Sequence, residues 1–215
     1  HPEELHLYEH KAAYLNGTFF LIRFAIYVAI WMAMARYFKS GSLAQDQDGD
    51  PVRTLRMQRV AAPCTLLFAL SITFAAVDFM MSLDAPWFST IFGVYVFAGS
   101  FLAFMSFLGL MTQRFENKGY LRGLVTPEHY HDIGKLMFAF VFFWSYIAFS
   151  QFVLYWYADI PEETLWFRHR IEGPFKDVSL VLLFGHIFIP FLGLLSRHVK
   201  RNRFGLKFWA IWLLV

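Results

Sequence analysis

Five apolar runs of about 20 residues or more, separated by short charged loops, constrain this 215-residue chain more than any motif in it. A hydrocarbon layer of ~30 Å crossed at ~1.5 Å per residue needs about 20 residues of helix. The runs 15–38, 60–83, 88–111, 133–157 and 178–196 meet that length, and a partial sixth occupies 204–215. Alternation of the barrel type is absent, and backbone groups in lipid must pair within their own segment, so the spans are helices. The expected fold class is an all-α integral membrane protein, a polytopic helix bundle with about six transmembrane helices in one domain, residues 1–215.

Composition agrees: 58% of the residues are hydrophobic, 16% are charged, and the mean hydropathy is +0.45. A soluble domain of this size cannot hide so much apolar surface. The net charge of +3 does not signal nucleic acid, because the Lys and Arg residues fall in loops between spans. Loops on one side (Arg36 to Arg59, Arg114 to Lys135, Arg197 to Lys207) hold 14 of them, against four on the other, Lys11, Arg168, Arg170 and Lys176. The excess sets the 14-residue side in the cytoplasm and the N-terminus outside. The first ten residues lack a signal peptide's basic region and cleavage site, and both ends read as cut from a longer protein. The single cysteine, Cys64, leaves no disulfide framework and no cysteine-ligated metal or cluster from this chain alone.

Three spans carry an ionisable residue at depth: Arg23, Asp78 and His186. Each costs at least ~2.5 to 3.5 kcal/mol on insertion scales, so each calls for a partner, a water-filled cavity or a function. Ser71 and Asp78, seven residues apart, share a face of the second span. Asp78 is a candidate proton carrier, with Arg23 as a possible cation beside it. The alternative is a structural Arg–Asp pair. In the fifth span Ser179, His186, Pro190, Gly193 and Arg197 fall on one helical face, and Pro190 predicts a kink that frees the carbonyl of His186. A buried histidine there fits a proton carrier, a quinone hydrogen bond or a satisfied core residue. Haem is disfavoured, because His131 and His198 lie at the cytoplasmic end and His6, His10 and His169 outside.

The fourth span aligns Asp132, Lys135, Tyr146, Ser150 and Tyr157 within about 60° of one another, a stripe from the cytoplasmic end to the outer end. It reads either as a proton wire or as a packing face that hydrogen-bonds a neighbouring helix. Gly99, Ala103 and Ser106 of the third span are spaced for close helix approach. The acidic stretch 41–51 reads as a mobile loop whose Asp46, Asp48 and Asp50 only superficially match a calcium loop. Residues 159–177 form a charged, aromatic outer stretch suited to docking an extrinsic partner.

The segments DFMMSLDAPWFSTIFGVYVFAGS (78–100) and HYHDIGKLMFAFVFFWSYIAFSQFVLYWYADIPEETLWF (129–167) resemble the NrfD/polysulfide-reductase-type membrane subunits of bacterial alternative complex III, a quinol:cytochrome c oxidoreductase. The likeness is closer to the second of that complex's two such subunits. It implies a multi-pass subunit of the bacterial inner (cytoplasmic) membrane, in a complex that oxidises menaquinol and passes electrons to haem c and iron–sulfur clusters on partner subunits. The implied partners are the sister NrfD-like subunit and the iron–sulfur and c-type haem subunits, with no cofactor bound by this chain itself. The resemblance further implies a proton-pathway or structural role. One departure is Asp84-Ala85-Pro86-Trp87, where the family commonly has Asp-Pro-His-Trp. A pure membrane anchor, a quinone-binding subunit in its own right and a secondary transporter stand as the other readings.

Overall fold

The computed structural model describes residues 11–84 and 87–215, which are helical with no strand among them. His6, His10 and the Ala85-Pro86 pair of the loop motif lie outside the described residues. Among the described residues, five helices are long and apolar enough to cross a membrane. The chain divides into two units, His1–Gly93 and Val94–Val215.

The first unit is a helical hairpin, α1 (Gly17–Asp48) and α2 (Pro51–Phe79), followed by a 3₁₀ turn (Met81–Leu83). Asn16 caps α1 by accepting the Phe19 N–H at 2.8 Å. Gly49 ends the helix at φ 67°, a left-handed conformation that favours glycine, and its N–H returns to the Gln45 carbonyl at 2.8 Å. Asp50 then caps α2 through the Val52 N–H at 2.9 Å, with Pro51 in the first turn.

The stretch expected as a mobile acidic loop is therefore mostly helix, and the connection is two residues long. Asp48 and Asp50 serve as caps and partners rather than as calcium ligands: Asp48 also pairs with Arg53 at 2.6 Å. At ~1.5 Å per residue the 32- and 29-residue helices span about 48 and 44 Å. They outrun the expected spans 15–38 and 60–83 at their joined ends, because the chain carries no helix stop there before Gly49 and restarts at once on Asp50-Pro51. Phe79 seals the opposite end, meeting the rings of Phe20, Phe24 and Tyr27 at about 6 Å between centroids.

In the second unit, α3 (Phe92–Asn117) and α4 (Pro127–Ala158) are joined by a turn with positive φ at Gly119 and Gly123. The outer stretch 159–177 holds a helix of its own, α5 (Pro161–Ile171). The expected span 178–196 is not one α-helix. It runs as α6 (Lys176–Val181), a π-wound segment (Leu182–Phe188) and α7 (Ile189–Leu195). Pro190 supplies no N–H for the His186 carbonyl, and the Ile189 N–H reaches back five residues to Phe184, so the break that proline imposes is taken up as a π turn. Ser196 is extended before α8 (Arg197–Arg201), and α9 (Arg203–Trp212) follows.

Leu102, Met105, Tyr130, Met137, Val141, Leu194, Leu206 and Ala210 build the core of this unit. Gly193 lets the Trp209 ring lie on α7, since a Cβ there would meet ring atoms at 1.7 Å. Gly134 does the same for the Lys200 stem at 2.8 Å, so two helix approaches rest on missing side chains.

Candidate functional site

Asp78 is the best-partnered group in the first unit. It lies one residue before the end of α2 and is 2% exposed. Its Oδ2 accepts from Arg23 Nε at 2.8 Å and from the Tyr27 hydroxyl at 2.7 Å, while Oδ1 accepts from the Tyr14 hydroxyl at 2.7 Å. Arg23 and Tyr27 are four residues apart on α1 and so present one face to α2. The guanidinium also donates to the Tyr14 carbonyl at 3.1 Å and stacks on the rings of Tyr14 and Phe19 at 3.9 and 4.3 Å. Of the sequence candidates, Arg23 and Asp78 are thus brought together as an ion pair.

A cavity of about 380 Å³, lined by Leu15, Asn16, Gly17, Phe20, Arg23, Ser82 and Leu83, opens on this pair. The guanidinium, not the carboxylate, faces it. Ser82, also in the lining, donates its hydroxyl to the Asp78 main-chain carbonyl at 2.6 Å.

Deeper along the seam, Ser71 accepts from Trp31 Nε1 at 3.0 Å and donates to the Phe68 carbonyl at 3.0 Å. The Tyr27 and Trp31 rings stack between Ser71 and Asp78, with centroids 6.3 Å apart. An indole N–H does not relay protons, so Tyr27 is the last proton-bearing hydroxyl in direct line from Asp78. Ser71 shares the face but not the hydrogen-bonded set.

The α4 stripe falls on one face, and that face points outward. Asp132 and Lys135 pair with each other at 2.7 Å and are both more than half exposed. Tyr146 is 57% exposed, and the Ser150 hydroxyl turns back to the Tyr146 carbonyl at 2.6 Å. The opposite face, with Tyr130, Gly134, Met137, Val141, Ile147 and Gln151, is the buried one.

His186 lies inside the π segment, where Trp212 Nε1 donates to the Gly185 carbonyl at 2.7 Å. It borders a cavity of about 350 Å³ with Val181, Gly185, Phe208, Ile211 and Trp212. Its Nδ1 is buried without a hydrogen-bond partner among the described residues. The π turn and the break at Ser196 take Ser179 and Arg197 out of the face that a continuous α-helix would have given them with His186. Among the described residues no three His, Cys, Asp or Glu side chains converge as a metal site.

Several participants are not among the sequence candidates. Tyr27 and Trp31 continue the Arg23 face at four-residue spacing, a signal open to inspection, whereas Tyr14 precedes the helix and carries none. At the loop end of the second unit, Glu116 of α3 accepts from Tyr130 and Arg203, and Gln113 Nε2 donates to the Arg203 carbonyl at 3.1 Å. Lys200, buried against Phe138 with its Nζ 4.9 Å from the ring centre, has its pKa lowered by burial and by the charge of Lys135. Neither a family model nor a curated protein sequence matches this chain.

Proposed function

We propose that this chain is a non-haem membrane subunit of a bacterial respiratory quinol-oxidising complex, and that its first unit supplies one half of a proton path ending at Asp78. Menaquinol oxidation, haem c and iron–sulfur chemistry belong to partner subunits in this reading, and the N-terminal end of the hairpin faces the periplasm. One observation carries it: a buried carboxylate held by Arg23, Tyr14 and Tyr27 beside a cavity that opens on the same arginine. The resemblance of 78–100 and 129–167 to NrfD-like subunits supplies the complex.

Asp78 has one natural place for an arriving proton. Oδ2 already accepts two hydrogen bonds, one of them from the guanidinium, whereas Oδ1 accepts only the Tyr14 hydroxyl. Rotating that hydroxyl frees Oδ1, and Tyr14 precedes α1 next to Leu15 and Asn16 of the cavity wall. Arg23 balances the carboxylate charge and keeps the site in place while the proton moves. Tyr27 marks the inner limit of the path.

A second reading follows from the same contacts. Both carboxylate oxygens are engaged, so the set would also serve as a latch that fixes α1 to α2 in a membrane anchor. Asp78→Asn and Tyr14→Phe in the assembled complex separate the two, with protons released per electron as the measured quantity. A lowered ratio in both variants is expected. An unchanged ratio in assembled complex sinks the proton role, and failure of Asp78→Asn alone to assemble favours the latch.

A further inference from the structure

The joined ends of α1 and α2 run beyond the apolar part of their sequence, and the seam between them opens there into a third cavity. It measures about 400 Å³ and is lined by Tyr37, Ser40, Gly41, Ala44, Arg53, Arg56 and Met57. Its level follows from the sequence. The apolar runs end at Phe38 and begin again at Val60, so the lining residues occupy roughly the first 10 Å outside the hydrocarbon, the depth of the lipid headgroups.

The lining carries two guanidinium groups and no carboxylate. Asp48 holds Arg53 through Nε and Nη2, both at 2.6 Å, which fixes the plane of the fork and leaves Nη1 uncommitted. Arg56 has no hydrogen bond or ion pair among the described residues. The Ser40 hydroxyl is spent on the Tyr37 carbonyl at 3.0 Å, so the guanidiniums are the charged donors. Gly41 lies under the Met57 side chain, where a Cβ would be 2.8 Å from its sulfur; together with Ala44 it keeps the floor of the cavity low and apolar. The Gln45–Thr54 hydrogen bond at 2.7 Å ties the two helices about one turn beyond.

We infer that this cavity binds the phosphate group of an anionic phospholipid, held by Arg53 and Arg56, with the lipid's glycerol end against Gly41, Ala44 and Met57. Arginine forks match phosphate oxygens two at a time, and basic recesses between helices at headgroup depth suit anionic lipid. The site is independent of the proton path, since it lies at the opposite end of the hairpin from Asp78.

Free phosphate presents the same oxygens, so the test has an arm for each source. The full-length protein, in its complex, is placed in vesicles of phosphatidylcholine with and without phosphatidylglycerol, and retained lipid is counted by native mass spectrometry after extraction. Retained phosphatidylglycerol should fall about five-fold in Arg56→Gln, the effect of one basic group near an anionic surface, and recover in part with Arg56→Lys. Arg122→Gln, in the α3–α4 turn, is the control and should change nothing. Displacement of phosphatidylglycerol by inorganic phosphate at moderate salt would assign the site to free phosphate instead of lipid. Equal retention of phosphatidylcholine and phosphatidylglycerol, or no difference between Arg56→Gln and the parent, overturns the proposal.

Discussion

Asp78 and His186 are both polar groups that the sequence sets deep in apolar helices, and the two units treat them in opposite ways. In the hairpin, the buried charge is met by side chains up to 64 residues away, and Tyr14, Arg23 and Tyr27 each donate to a carboxylate oxygen. In the second unit the helix itself deforms: ahead of Pro190 the backbone winds as π, with the Ile189 N–H on the Phe184 carbonyl, and the Nδ1 of His186 has no hydrogen-bond partner among the described residues. A charge in a low-dielectric layer must be answered by another side chain, and Tyr14, Arg23 and Tyr27 do so for Asp78.

The comparison breaks most readily at the ion pair. Asp78→Ala leaves Arg23 buried without its anion and should destabilise the hairpin by about 3 to 5 kcal/mol, read from unfolding in detergent or bicelles. Pairing Arg23→Met with Asp78→Leu should recover part of that loss, because it removes both charges but leaves the Tyr14 and Tyr27 hydroxyls without their acceptor. Should the double variant be as unstable as the single one, the unpaired Arg23 charge is not the source of the loss. Next in size is Gly193→Val, which drives a side chain into the Trp209 ring and should cost the second unit about 1 to 3 kcal/mol without touching the hairpin.

Smaller effects sharpen the contrast at the histidine. Trp212→Phe removes the bond to the Gly185 carbonyl and should cost about 1 kcal/mol. His186→Leu should fall within ~1 kcal/mol of neutral, since an unpartnered nitrogen has little to lose. A loss as large as that of Asp78→Ala would mean that His186 is as fully engaged as the carboxylate. The smallest expected effect is a pH slope. Burial and Lys135 hold the folded pKa of Lys200 below its ordinary 10.5, so the unfolded chain binds more protons there. Stability of the second unit should therefore rise as pH climbs from that lowered value towards 10.5, and Lys200→Met should flatten the rise.

The apolar runs were legible because length and hydropathy are one-dimensional. So was a break in the helix at Pro190, expected as a kink and found as π winding; the two-residue turn at Gly49 and Asp50 was not. The acidic stretch 41–51 was misread because carboxylates suggest a loop, although Asp48 and Asp50 act as caps and partners at helix ends. Arg23 and Asp78 were legible as a possible pair, since each needs a partner. Tyr14 was not, because it lies outside the periodic helix and reaches Asp78 only through the fold. The α4 stripe shows the limit of periodicity: 100° spacing finds a face but not which way it turns, and the residues that decide it, from Tyr130 to Gln151, are on the other side.

The ion pair also sets a schedule for biogenesis. Arg23 and Asp78 are 55 residues apart in sequence. At ~5 to 20 residues per second, Arg23 leaves the ribosome roughly 3 to 11 s before Asp78 does. During that interval α1 is a span with an uncompensated charge, and its residence in lipid is unfavourable until α2 arrives. The two-residue turn shortens the search that follows, because the second helix can fold back beside the first. The hairpin is therefore best suited to entering the bilayer as a pair.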